Sequence, residues 1–289
     1  MTNYVAIYHH PCADGFTAYY LLYQWVMREK DSKLKGFQAT FIDNRPQNLE
    51  GKHVFFLDFV YKNGDLMREI INEADKVTII DHHYSVENLV NQLAKEFPDK
   101  LIVVFDKEHS GAGLTSRYLF PDAPEENAKT GFPTLVQYVE DRDLGFKHKY
   151  PYHRQISAYI DSVPYSIGSW SSLSFKFNTP SQFNDMVNVG EVIMRYKDRL
   201  VGEVIDHSAS EIQIDDEPVP CAQSIPGLSH NVAMALIEKF PSAPYTVAYY
   251  DDTKKGGVTY SLRTRSNNVN VAEICQRLGG RWTQASRWL

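Results

Sequence analysis

Three times in the first half of the chain, a short apolar run stops at a turn rich in acids and imidazoles. Tyr4-Val5-Ala6-Ile7-Tyr8 runs into His9-His10-Pro11-Cys12-Ala13-Asp14-Gly15, His53-Val54-Phe55-Phe56-Leu57 ends at Asp58, and Thr78-Ile79-Ile80 ends at Asp81-His82-His83. Continuous apolar runs with β-branched residues are what strands buried on both faces look like, as in a parallel sheet. Between them lie stretches with helical spacing: Phe16 to Met27 (Ala18, Leu21, Leu22, Trp25), Leu66 to Ala74, and Val86 to Phe97. Strand, polar turn and helix in succession make βαβ units. Further strands are expected at Ala39–Asp43 and Leu101–Asp106, and further helices at Leu114–Phe120 and Phe132–Glu140. In open sheets of this kind, ligands bind at the carboxyl ends of the strands, where all three polar turns fall.

The texture changes beyond the middle. Tyr150 to Thr179 is aromatic, Ser-rich and irregular. Its rings could stack on bases, although packing in an insert is the stronger reading. Asn184 to His207 carries Met186, Val189, Ile193, Tyr196, Leu200 and Val204 at helical spacing and reads as a connector. Strands at Glu211–Asp215, Tyr245–Tyr250 and Gly257–Arg263 and helices at Asn231–Phe240 and Val271–Leu278 follow. The expected architecture is α/β. A parallel-sheet domain with helices on both faces (1–183) is joined by a connector helix (184–207) to a smaller α/β domain (208–289).

Composition narrows the function. With 43% hydrophobic and 13% aromatic residues, the chain can fill substantial cores. A net charge of −6 argues against a broad basic face for long duplex, but leaves room for a phosphate pocket. Three cysteines make no disulfide framework and favour a reducing cytosol. Neither a signal-like N-terminus nor an apolar span is apparent, so a cytoplasmic protein without membrane association is expected.

Neutral imidazole is a common metal ligand, and a neighbouring carboxylate can fix its tautomer. One Asp-His-His alone would be ambiguous, but several strand ends of the same kind would converge on one rim. Two later stretches join the candidates. Ser110-Gly111-Ala112-Gly113 is either a tight turn for close helix packing or a phosphate cradle. Asp141-Arg142-Asp143 puts acid at a helix C-terminus, which the helix dipole disfavours, so a functional explanation gains ground.

Taken in order, the His and Asp turn, the lone strand-end Asp, the Asp-His-His and the later Asp resemble the motifs of the DHH phosphoesterase family. The resemblance implies a pair of divalent metals, usually manganese, that hydrolyse phosphoester or phosphoanhydride bonds. Carried onto this sequence, it makes His9, Asp14, Asp58, His82 and Asp141 the metal ligands, with Asp58 bridging. His83 would face the phosphate and Asp81 would sit behind the metal ligands. Cys12 stands where the family usually has an Asp, and a thiolate suits Mn²⁺ or Mg²⁺ less well than oxygen. His10 competes with His9, which lies nearer the strand, and Asp143 competes with Asp141. The last third resembles the DHH-associated substrate domain through Ser261-Leu262-Arg263 and Gly279-Gly280-Arg281, with Arg281 in place of a third glycine. This assigns Arg263, Gly279, Gly280 and Arg281 to substrate binding.

The expected cofactors are two divalent ions, Mn²⁺ first and Mg²⁺ second, about 3.5–4 Å apart, activating water and clamping phosphate oxygens. Closure of the cleft between the domains would enclose the substrate. The favoured substrate is a short oligonucleotide or dinucleotide. A cyclic dinucleotide or other small phosphoester ranks second and pyrophosphate third. A catalytically weakened nucleic-acid-binding protein is the alternative of a different class, and a homodimer stays open.

Overall fold

The computed structural model describes residues 3–28, 32–39, 44–122, 133–145, 147–148, 150–253, 256–266 and 268–278. The chain divides into two compact units, Met1–Gly190 and Glu191–Leu289. No described helix is long and apolar enough to cross a membrane.

The first unit opens with β1 (Asn3–His9), α1 (Ala13–Val26), β2 (Lys33–Ala39) and β3 (Lys52–Leu57). It continues through α2 (Gly64–Glu73), β4 (Lys76–Asp81), α3 (Glu87–Glu96) and β5 (Leu101–Phe105). The five strands form a parallel sheet in the order β2-β1-β3-β4-β5. Strand alternation explains why both faces are covered. Tyr4, Ala6, Tyr8, Phe55, Leu57 and Ile80 point into one core, which includes Phe16 and Leu22 of α1. Val5, Ile7, Val54, Phe56, Val77 and Ile79 point into the other, with Met67 and Ile70 of α2 and Val90 and Leu93 of α3. Each fully buried Val, Ile or Phe contributes about 1.5–3 kcal/mol.

Beyond the sheet come α4 (Gly111–Leu119), α5 (Leu135–Asp143), α6 (His153–Asp161), α7 (Ile167–Phe177) and the long α8 (Pro180–Ser208), which spans the unit boundary. Two expectations need correction. The second strand was expected at Ala39–Asp43, but β2 ends at Ala39, and 40–43 lie outside the described residues. Its Lys33-Leu34-Lys35-Gly36 start is the polar composition of an exposed edge strand, which masks the pattern. The stretch read as irregular is mostly α6 and α7. Ile156, Ile160, Trp170, Leu173 and Phe177 bury themselves in the α1 core, so most of its apolar surface serves packing.

The second unit contains β6 (Ser210–Ile214), β7 (Glu217–Gln223), α9 (Ser229–Lys239), β8 (Thr246–Asp252), β9 (Gly257–Arg263) and α10 (Val271–Arg277). Its sheet runs β6-β7-β8-β9, with only β7 and β8 parallel. Asp215 and Asp216, both with positive φ (52° and 65°), make the β6–β7 turn, a conformation acids tolerate better than most side chains.

Candidate metal centre

The strand order 2-1-3-4-5 reverses direction at β1 and β3, and that switch point opens a crevice at the carboxyl ends of the strands. Because Tyr8 pairs with Leu57 and Leu57 with Ile80, the next residues, His9, Asp58 and Asp81, come out side by side. Asp58 leaves the strand with a φ of 54°, while its N–H still donates to Ile80 O at 2.9 Å.

The Asp58 carboxylate is buried and its two oxygens look different ways. Oδ1 lies 3.2 Å from His82 Nε2 and 3.8 Å from His83 Nδ1. Oδ2 lies 3.3 Å from His9 Nδ1 and 3.6 Å from Cys12 Sγ. His82 Nε2 is also 3.4 Å from Asp143 Oδ2. Among the described residues, three overlapping groups result: His9, Cys12 and Asp58; Asp58, His82 and His83; Asp14, His82 and Asp143.

Asp14, at the start of α1, is held from the far side by Ser110 Oγ (2.6 Å), Gly111 N (2.7 Å) and Ala112 N (3.0 Å). The Ser-Gly-Ala-Gly turn is therefore filled by a carboxylate of the chain itself. A Cβ at Gly111 would come within 2.6 Å of Asp58 Cβ, so close approach requires glycine there. Asp81 Oδ1 accepts from His82 N (2.6 Å) and His83 N (2.8 Å), and lies 2.8 Å from His83 Nδ1.

Of the competing candidates, the geometry separates each pair. His10 points away, its ring edge-on to Tyr8 and Tyr165, while His9 joins the cluster. Asp141, the favoured acid, accepts from His148 N at 2.6 Å, whereas Asp143 lies with Asp14 and His82. Successive helical residues turn by about 100°, so two acids two positions apart on α5 cannot face the same point. In the second unit, Arg263 Nε donates to His230 Nδ1 (3.0 Å) and Nη1 to Leu262 O (2.6 Å). Gly279, Gly280 and Arg281 lie outside the described residues. Glu140 escaped the sequence reading: it is buried, paired with Arg117, and accepts from Ser110 N at 3.3 Å. Its burial carries no local sequence signal, since a helix-end Glu is normally exposed.

The electrostatics suit a cation. Burial opposes ionisation of Asp58, yet hydrogen bonds from His82 and His9 and the charge of His83 hold its carboxyl well below the usual range. Burial would lower His82, but the hydrogen bond to Asp58 and the charges of Asp58, Asp143 and Asp14 push it up to about 10. Burial, then Asp58 and Asp143, push Asp14 up, and burial with the same acids pushes the Cys12 thiol up. Two donors bound roughly 2.0–2.1 Å from one ion at right angles sit about 3 Å apart. The 3.2–3.4 Å spacings around Asp58 and His82 are near that value. Carboxylate and imidazole donors fit a divalent ion of the Mn²⁺ or Mg²⁺ kind, with Cys12 the one soft donor.

No family model matches the chain. The chain is 23% identical over 295 residues to the uncharacterized protein R106 of Acanthamoeba polyphaga mimivirus. The match covers 96% of this chain but 64% of that protein, so the chain spans less than two thirds of its curated relative. Among solved structures, it is similar to exonuclease RecJ bound to manganese (TM-score 0.51, 12% identity, 96% of this chain and 82% of that one). It is also similar to RecJ from Thermus thermophilus in complex with Mn²⁺ (TM-score 0.51, 14% identity, 96% and 47%). The fold is shared with RecJ: a five-stranded parallel sheet between helices, with a second, smaller sheet unit.

Proposed function

We propose that the chain is a metal-dependent phosphoesterase that hydrolyses phosphodiester bonds of short oligonucleotides or dinucleotides. The observation that carries this reading is the buried Asp58 carboxylate, with Oδ2 turned to His9 and Cys12 and Oδ1 turned to His82 and His83. That is how a residue shared between two cations would be disposed. His9 and Cys12 would hold one ion with Asp58, while His82, Asp14 and Asp143 would hold the other. Bound there, the ions would supply Lewis-acid activation of water and neutralise phosphate charge. The RecJ structures, whose fold this chain shares, carry Mn²⁺ and add support.

The chain's own side chains supply orientation. Asp81 engages Nδ1 of His83, leaving Nε2 to meet a phosphate oxygen. His83, Asp58, Phe59, Lys62 and Ser85 line a small depression beside the cluster. Tyr84, next to His83, is 77% exposed, with the Lys107 ammonium 5.3 Å from its ring centroid. An exposed ring at this place suits a nucleobase and ranks nucleotides above pyrophosphate as substrates.

The test is hydrolysis of labelled two- to five-nucleotide RNAs, cyclic dinucleotides and pyrophosphate, with and without Mn²⁺. Mn²⁺-dependent release from the short RNAs, lost in Asp58→Ala, is expected. No release from any substrate, with RNA still bound, would favour a binding protein instead.

A further inference from the structure

We infer that Ser110, with the first turn of α4, determines which oxygen of Asp14 a divalent ion can reach. Ser110 is thereby a positioning residue for the centre. The inference rests on the reading of the cluster as a metal centre and specifies how one ligand is prepared for it.

A carboxylate offers about four lone-pair directions, two on each oxygen. On Asp14, Oδ1 accepts from Ser110 Oγ (2.6 Å) and Ala112 N (3.0 Å), and both its directions are taken. Oδ2 accepts only Gly111 N (2.7 Å) among these donors, which leaves one of its directions open to a further partner. Asp14 shares that cluster with His82 and Asp143. It can therefore join a cation through Oδ2 alone, as a monodentate ligand.

The Ser110 hydroxyl has little choice of orientation. It caps α4 by accepting from Gly113 N at 3.2 Å, so its own hydrogen is directed to Asp14. The Ser110 N–H is in turn engaged by Glu140 Oε2, which Arg117 Nη1 holds at 3.2 Å. The glycine at 111 is sterically required, and a side chain at 113 would displace Glu140. A Cβ at Gly113 would fall 1.4 Å from Glu140 Oε2, and one at Gly111 would meet Asp58 Cβ and Asp14 Oδ2. Ser110, Asp14 and Thr115 are all buried, so water does not compete for these bonds. The turn thus approaches two candidate ligands closely while presenting the Asp14 carboxylate in one fixed attitude.

Mn²⁺ binding to the full chain, followed by electron paramagnetic resonance of free against bound ion, tests this without relying on turnover. Ser110→Ala is expected to weaken Mn²⁺ about 10–100-fold, the usual loss when an outer partner of a ligand is removed. Ser110→Thr, which keeps the hydroxyl, is expected to stay within about threefold of the unaltered chain, well inside that range. Circular dichroism and melting without metal establish that each variant is folded. Should the alanine variant not fold, Ser110→Gly removes the same hydroxyl at a helix cap that glycine tolerates well. Unchanged affinity in a folded variant lacking the hydroxyl would overturn the inference, as would a threonine variant as weak as the alanine one. An unaltered chain that takes up no Mn²⁺ would remove the metal-centre reading itself, and this inference with it.

Discussion

Asp58 and Asp81 end neighbouring strands, β3 and β4, after equally apolar runs, and both are buried. Their side chains nevertheless face opposite tasks. Asp81 stays in the ladder opposite Phe105, and its Oδ1 is saturated by the turn that follows it, through His82 N, His83 N and His83 Nδ1. Asp58 leaves the ladder with positive φ and reaches residues 46 to 49 positions before it and 24 after it. A strand-end acid that bonds its own turn orients its neighbours. One turned away from its own turn gathers distant ones.

The strongest way to break this contrast is to remove each carboxylate in turn. Asp58→Ala should abolish Mn²⁺ uptake and phosphodiester hydrolysis together, while Asp81→Asn should cost about 10–100-fold in either, as for an outer partner. Parallel metal titrations and rate measurements on both variants decide it. Equal losses would mean that Asp81 is as close to the metal as Asp58.

A second test sharpens the steric side of the Asp58 position. Gly111→Ala places a methyl 2.6 Å from Asp58 Cβ. Overpacking of this kind costs about 1–3 kcal/mol, to be read from urea melts without metal.

The last test concerns the other end of β3. Burial, with Lys76 nearby, lowers His53 from 6.5 to about 4. The unfolded chain then binds the proton more readily than the folded one between these values, so stability rises with pH across that window. The contribution is complete above about pH 6.5, falls as the pH drops toward 4, and levels off below. His53→Gln should flatten that part of the stability profile, measured by melts from pH 4 to 7.

Much of the rim was legible in the sequence. Strands that alternate into two cores announce themselves by composition, and a run stopped by Asp or His marks its carboxyl end. Hence His9, Asp14, Asp58 and His82 could be named before any coordinates, and the structure gathers them. At α5 the resemblance put Asp141 ahead of Asp143, and at the first turn nearness to the strand put His9 ahead of His10, with no distances to test either choice. In the structure Asp143 lies with Asp14 and His82 while Asp141 accepts from His148 N, and the ring of His10 packs edge-on against Tyr8 and Tyr165. The edge strand β2 and the helices α6 and α7 were obscured because polar or aromatic texture hid their periodicity.

Local chain chemistry, then, determined which residues end the strands, since burial on both faces demands apolar runs and only a turn can carry a polar group out of them. Tertiary structure alone decided that Ser110 and two backbone N–H groups grip Asp14, from 96 to 98 residues away, and that Glu140 is buried behind them. Contacts at that separation arise from how α1, α4 and α5 pack together, and neither periodicity nor spacing along the chain encodes which side chains will meet.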